Sequence, residues 1–412
     1  MTTSVAGQEM QKTQDDRWAQ ALAALRPGHA LSREFYCDPE LFEREKSRLL
    51  LQHWHCAGHQ SQVPEPGDFF TTEICGESLI IVRGNDREVR ALLNVCRHRG
   101  SRICTQLSGR ARAGGFVCPY HAWSYSVDGS LRAAARMPSG FDRAAYGLKR
   151  LHARVIEGLI FVSFAPQPLG LGHVEAMLAG TARLYGWADA RVAHRETYAI
   201  NANWKLAVEN YMECYHCGPA HEEYSRFHLY ARPAALNREA DERVRQRAAS
   251  FGVEVQEHSY WGIQAQPGQE GAASLRSALA DGTVSGSEDG KALAPLMGRF
   301  TDYDGGVTFF DVGLTSDFLA YPDHGLVYRF IPQTVHATHM EVLWLVRGDA
   351  EAGRDFDLER LTWLWKLTSV ADKRIIELNQ QGINSRYYQP GPYSEMEQDT
   401  RRFIEWILAE LK

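Results

Sequence analysis

Cys96-Arg97-His98, followed about twenty residues later by Cys118-Pro119-Tyr120-His121, is the pattern that most restricts what this chain can fold into. Each half offers one soft thiolate and one imidazole, and C-x-H with C-x-x-H lets two such halves close around a two-iron cluster, cysteines on one iron and histidines on the other. Neutral imidazoles in place of two thiolates leave that cluster less negative and easier to reduce, so the chain is expected to move electrons. A structural zinc also accepts two Cys and two His. Zinc sites usually pair cysteines in one half and histidines in the other, whereas each half here is mixed, which favours the cluster. Gly114-Gly115-Phe116-Val117 leads into the second half and Ala122-Trp123-Ser124-Tyr125 leads out of it, as expected for loops at strand ends.

Asn94-Val95-Cys96-Arg97-His98-Arg99-Gly100-Ser101 and Cys118-Pro119-Tyr120-His121-Ala122-Trp123 resemble the cluster-binding segments of the Rieske non-haem iron oxygenases, the family of ring-hydroxylating dioxygenase large (alpha) subunits. A small electron carrier would need only this part, yet well over two hundred residues follow it.

In that remainder, Trp204, Ala207, Val208, Tyr211, Met212 and Tyr215 recur at helical spacing, which predicts a mostly buried helix ending near Gly218-Pro219. On it Glu213 and His216 would share a face, with His221 just past the break. Two imidazoles across a helix end can converge on one metal, and a mononuclear Fe(II) that activates O2 needs two His, one carboxylate and open positions. The carboxylate candidate is Asp372. It lies in a predicted helix from about Phe356 to Gln381, stopped by Gly382, at the edge of an apolar stripe of Leu361, Leu364, Trp365, Ala371, Ile375 and Leu378. An unpaired carboxylate there is costly, and a cation is its natural partner. Each residue also has a structural role open to it: a hydrogen-bonded core histidine, a salt-bridged Asp372, or Glu377 as the competing carboxylate. Cys214-x-x-Cys217 lacks the strand context of a redox dithiol and reads as helix packing.

The family resemblance orders these candidates. N-W-K-x3-E-N-Y from Asn203 followed by E-x2-H-x4-H from Glu213 is similar to the mononuclear iron signature of these oxygenases. Carried over residue by residue, the resemblance implies Cys96, His98, Cys118 and His121 as ligands of the [2Fe–2S] cluster, and His216, His221 and Asp372 as ligands of the mononuclear iron. It makes Glu213 the carboxylate that links an iron ligand to His121 of a neighbouring subunit, and puts Asn210 in the catalytic site. Many relatives carry Asp at the bridge; Glu is shared with the carnitine monooxygenase type.

The resemblance also implies an α+β chain: an antiparallel β-sandwich Rieske [2Fe–2S] domain plus a helix-grip (START-like) catalytic domain. The expected division is a helical N-terminal segment (1–44) packing on the catalytic domain, the Rieske domain (45–165) and the catalytic mononuclear iron domain (166–412). Short strands are predicted at Phe69–Ile74, Ser78–Val82, Val89–Asn94, Phe116–Tyr120 and Ile156–Phe164, and further strands between Gly306 and Val346. Helices are predicted over Asp16–Leu25, Pro39–Trp54 and Ser394–Leu411. Pro166–Gly172 reads as a linker, and Gly262–Gly290 as irregular Gly/Ser/Ala-rich chain.

Composition fits a cytoplasmic enzyme with two cores: 412 residues, 44% hydrophobic, net charge −6, no long apolar run and no signal-peptide core near Met1. The charge gives no nucleic-acid footprint, and no membrane partner is expected. Cys37, Cys56, Cys75 and Cys104 read as reduced, buried residues. No flavin or NAD fingerprint is present, since Gly109, Gly114 and Gly115 belong to the cluster region. The resemblance therefore implies a separate NAD(P)H-dependent flavin/iron–sulfur reductase, and a head-to-tail homotrimer that pairs cluster and iron across subunits. Segments including Phe300-Thr301-Asp302-Tyr303-Asp304-Gly305-Gly306 and Tyr388-Gln389-Pro390-Gly391-Pro392-Tyr393-Ser394 look closest to the branch acting on quaternary ammonium compounds, such as glycine betaine monooxygenases and stachydrine demethylases. Oxidative N-demethylation is then expected, with Tyr260, Trp261, Phe309 and Phe310 as candidates for an aromatic cage. Ordinary core packing is the competing reading of each. Aromatic-ring hydroxylation is the rival activity, and a non-enzymatic electron carrier the rival class.

Overall fold

The computed structural model describes residues 17–229, 234–260 and 266–411. A first antiparallel sheet of seven strands runs in the order Trp54–His59, Leu159–Ser163, Arg150–Ile156, Val89–Leu93, Glu77–Arg83, Asp68–Ile74, Ser108–Arg110. A three-stranded sheet, Gly115–Val117, Ser124–Ser126 and Leu131–Ala133, stands beside it. The interior strand Glu77–Arg83 shows why the region folds this way. Its run Leu79-Ile80-Ile81-Val82 is apolar on both faces, and alternation sends Ile80 and Val82 into a small core with Cys96 and Cys118 while Leu79 and Ile81 join the main core.

A second seven-stranded antiparallel sheet has the order Ala190–Ile200, Ala337–Arg347, Gly325–Thr334, Ser316–Ala320, Gly306–Val312, Ala272–Ala278, His258–Ser259. It too divides two cores by parity. Leu326, Tyr328, Phe330, Val342 and Trp344 face the helix Leu358–Ile383, whereas Val327, Leu343 and Leu345 face the helix Gly172–Gly180 and its neighbours. Each fully buried aliphatic side chain here contributes roughly 1.5–3 kcal/mol, so the alternation alone pins the register. The whole is α+β, a sheet gripping a long helix beside an antiparallel Rieske-type sandwich.

Several predicted elements shift. The second N-terminal helix spans Pro39–Arg48, across the division expected at 44/45, and is capped by Asp38, whose side chain accepts from Glu40 N at 2.8 Å. The long helix runs through Gly382 to Ile383 because Ile383 is buried and Asn384 N bonds Gln380 O. Near its C-terminal end Ile376 is buried and Leu378 is 53% exposed, so the stripe turns away from Leu378. The Gly/Ser/Ala-rich stretch contains the strand Ala272–Ala278, paired residue for residue with Gly306–Val312. The helix Ala234–Ser250 and the strand Ala190–Ile200 were not expected from the sequence.

Candidate functional site: a cluster tip and a metal centre

The two Rieske-type loops hold Cys96 and Cys118 buried and His98 and His121 exposed at the tip of the first domain. The Nδ1 atoms of the two imidazoles face each other at 3.1 Å, and the His98 ring stacks on Trp123 at 4.8 Å. Asn94 stiffens the first loop, its Oδ1 accepting from Ile103 N and Cys104 N while its Nδ2 donates to Cys104 O. Gly100 turns that loop with φ +75°, a conformation side chains resist. The Cys118 thiol lies below its usual range: burial opposes this, but backbone N–H groups of Tyr120 and His121 and the side chains of Cys96 and Ser101 outweigh it. Cys96 Sγ lies 3.2 Å from Tyr125 Oη. Two sulfurs inside, two imidazole nitrogens outside, and N–H donors aimed at sulfur are what a two-iron cluster requires of its protein.

The second site begins at a helix end. Asn203 caps the helix Trp204–Tyr211 by accepting from Lys205 N at 3.1 Å, and the helix buries Trp204 through Val208. Contrary to the predicted continuous helix, it stops at Tyr211. The Glu213 carboxylate accepts from Tyr215 N and from His216 N, turning the chain into the short helix Cys217–Ala220. Glu213 and His216 therefore meet through a turn, and His216 Nδ1 donates to Glu213 Oε1 at 2.6 Å. In the neutral ring that bond leaves the lone pair on His216 Nε2. Cys214 and Cys217, read from sequence as packing residues, are joined by a disulfide across this turn.

His216 Nε2 lies 3.4 Å and His221 Nε2 2.7 Å from Asp372 Oδ1. One ligand atom from each of the three residues falls within 4.8 Å of the others. Asn210 Nδ2 is 3.4 Å from His216 Nε2, at the edge of the same point. Glu377, the competing carboxylate, is turned away and bonded to Asn201 and Lys373. The electrostatics favour positive charge where the three atoms converge. Burial disfavours protonated His216, yet hydrogen bonds to Asp372 and Glu213 lift it to about 9. Burial likewise opposes ionised Asp372, and its two histidine partners still hold it below the carboxylate range. His221 is 2% exposed with its Nδ1 unpartnered. Two imidazoles and one carboxylate, with no fourth ligand among the described residues, fit a mononuclear iron with open positions.

The segment is braced from the N-terminal side. Lys205 and Glu45, both fully buried, pair at 2.7 Å, and Trp204 Nε1 donates to the same carboxylate at 3.1 Å. Tyr36 Oη donates to Glu209 at 3.0 Å. Burial raises Glu209 to about 8, against the opposing effects of Tyr36 and Lys205.

The four cage candidates do not come together. Phe309 and Phe310 are adjacent in a strand and face opposite sides of the sheet. Phe310 packs on Phe318 and Trp187, in the core away from the metal residues, and Tyr260 stacks on His173 in that same core. Only Phe309 shares the metal side, and Trp261 lies outside the described residues. Among the described residues, aromatics near the metal residues are instead Tyr211, Tyr224, Tyr328 and Trp365. Strand parity was the signal that could have separated Phe309 from Phe310 and selected Tyr328.

A two-iron Rieske tip joined to a helix-grip iron pocket defines a class, the oxygenase component of the Rieske non-haem iron enzymes. Comparison agrees. Residues 187–412 match the ring hydroxylating alpha subunit (catalytic domain) family, and residues 53–149 match the Rieske [2Fe-2S] domain. The chain belongs to the ring-hydroxylating alpha-subunit family and is an iron-dependent oxygenase carrying a [2Fe–2S] cluster and a mononuclear iron. It is 36% identical over 388 residues to the glycine betaine monooxygenase oxygenase subunit of Pseudomonas aeruginosa, covering 92% of this chain and 88% of that one. A carnitine monooxygenase oxygenase subunit of Escherichia coli is 38% identical over 199 residues, 46% of this chain and 52% of that protein. The fold matches the crystal structure of the quaternary ammonium Rieske monooxygenase CntA with L-carnitine at a TM-score of 0.68 and 24% identity, covering 93% of this chain and 96% of that one.

Proposed function

We propose that this chain hydroxylates an N-methyl group of a quaternary ammonium, betaine-like substrate and releases the methyl carbon as formaldehyde. The observation that carries the reading is the convergence of His216, His221 and Asp372 beneath aromatic faces, in a chain related along most of its length to a glycine betaine monooxygenase subunit. In the balance, one atom of O2 enters a methyl C–H bond and the other leaves as water, with two electrons and two protons consumed. The C–N bond of the resulting N-hydroxymethyl group then breaks, yielding formaldehyde, a proton and the tertiary amine.

In this reading His216, His221 and Asp372 hold the mononuclear iron, which supplies reductive O2 activation, and Cys96, His98, Cys118 and His121 hold the cluster that stores electrons. Tyr211, Tyr224, Tyr328 and Trp365 exclude water and offer ring faces to a methylammonium, an attraction of roughly 0.5–2 kcal/mol. Glu213 fixes the His216 ring and its tautomer, and Asn210 keeps an amide donor at the metal position.

Among the described residues no hydrogen bond, ion pair or ring contact joins the cluster ligands to Glu213 within one chain. Val117 and Tyr120 are exposed at the cluster tip, and Tyr215, Val370 and Leu378 are exposed around the iron residues. Two apolar patches at two unconnected redox sites support a head-to-tail homotrimer in which Glu213 of one copy meets His121 of the next. Electrons come from a separate NAD(P)H-dependent flavin/iron–sulfur reductase in the cytoplasm. Among the described residues no helix is long and apolar enough to cross a membrane.

The test is a single turnover of chemically reduced, iron-replete protein with O2 and a panel of betaines, carnitine, choline and aromatic acids. Formaldehyde from a methylammonium compound is the expected product. A hydroxylated ring without formaldehyde would overturn the substrate class.

A further inference from the structure

The inner face of the catalytic sheet carries a buried carboxyl group, Asp317, for which the described residues supply no cation. Register aligns three residues across adjacent strands: Asp311 stands opposite Asp317, and Asp317 opposite Tyr328. Directly opposed residues of an antiparallel pair point to one face. Tyr328 identifies that face, because its ring packs on Tyr211 and Trp365 and its hydroxyl meets Ser369, about one turn before Asp372. Leu319, two positions on from Asp317, lies in the same core as Tyr328, as parity requires.

Asp317 is 3% exposed. Among the described residues it makes no hydrogen bond or ion pair, and burial alone pushes its carboxyl up to about 8. The groups facing it are Asp311 on the next strand, Tyr328 on the other, and Tyr211 from the helix above, whose hydroxyl is buried without a partner. None of these brings positive charge. A carboxylate left this way in a folded chain is costly unless something else supplies the cation.

Resting on the substrate class proposed above, we infer that Asp317 is the counter-charge for the quaternary ammonium head, held against the rings of Tyr211 and Tyr328. The chemistry of the face matches such a head in two ways. A tetraalkylammonium has no N–H to donate, so it asks for charge and ring faces rather than for hydrogen-bond geometry. An aromatic acid, by contrast, would bring a second carboxyl to this face with no cation between the two. Tyr328 spans from this row to the long helix, so a head seated at Asp317 stands on the sheet side of the chamber whose helix side carries Asp372.

Tetramethylammonium, a cation with no other functional group, is the probe. It is titrated calorimetrically, under argon, into iron-replete holoenzyme and into Asp317→Asn, with melting temperature and iron content measured for both. Asn keeps the shape, and the expected result is affinity weakened on the order of thirtyfold with iron retained. Asp317→Ser, which removes the carboxyl with less bulk, should weaken binding to a similar extent and keeps the test open if the first variant misfolds. A readout that a packing role would not move is the preference for glycine betaine over tert-butylacetic acid, in which carbon replaces nitrogen: Asp317→Asn should lose it. Wild-type affinity for tetramethylammonium in a folded Asp317→Asn would overturn the assignment while leaving demethylation standing. Failure of wild-type protein to release formaldehyde from any methylammonium compound would instead remove the substrate class, and this assignment with it.

Discussion

The cluster tip and the iron pocket gather their candidate ligands in opposite ways. At the tip, four side chains come from two loops about twenty residues apart, and the two histidines stand in solvent. In the pocket, His221 and Asp372 are separated by 151 residues and meet only because a sheet and a long helix are in place. A site written locally survives changes elsewhere in the chain, whereas one written across the fold depends on everything that positions it.

Removing a pocket ligand should break the two sites apart most sharply. Asp372→Ala is expected to reduce product formation about a thousandfold or more, some 4 kcal/mol of barrier, and to lower iron from about three to about two atoms per chain. The cluster absorption and EPR signal should persist; their loss would show that the sites are not independent. Next, Glu45→Ala leaves Lys205 buried and unpaired, at a cost of about 3–5 kcal/mol. Thermal unfolding should fall accordingly and the pocket iron should leave more readily, with the cluster spectrum unchanged. An unaltered melting temperature would contradict the bracing role of the N-terminal helices.

Glu213→Gln sharpens the comparison, because it should leave both metals bound while severing what joins them. Product formation per electron consumed is expected to drop about 10–100-fold, and a change of only a few-fold would sink the bridge. The smallest effect concerns pH. Glu209 is raised to about 8 in the folded chain, so its contribution to stability is complete below the ordinary carboxylate range and is lost as pH climbs from there through about 8. Asp317, raised to a similar value, acts in the same direction. Glu209→Gln should therefore flatten part of the decline in melting temperature between about pH 5 and 8, and an unchanged slope would mean that Glu209 does not titrate in that window.

Legibility followed the same division. Both cluster loops could be read from four residues and their spacing, because the chemistry is local. Asp372 was reachable only as a carboxylate at the edge of a helical stripe, with its partners a fold away. The break at Met212–Cys214 was hidden because apolar periodicity continues through Met212 and Tyr215, while the turn is made by a Glu213 side chain bonding to backbone. The cage candidates failed for a related reason: aromatic content is visible in a sequence, but the face on which a strand residue emerges depends on register. The strand Ala272–Ala278 is rich in small residues and owes its existence to the partner at Gly306–Val312.

The buried pair of Lys205 with Glu45 also sets an order of assembly. As the chain leaves the ribosome, the strands and loops of the tip are all made before the helix beginning at Trp204, whereas Glu45 must wait for Lys205, and His221 for Asp372. A nascent chain can thus complete its electron store well before its oxygen-activating pocket exists. The dangerous half of the chemistry closes last.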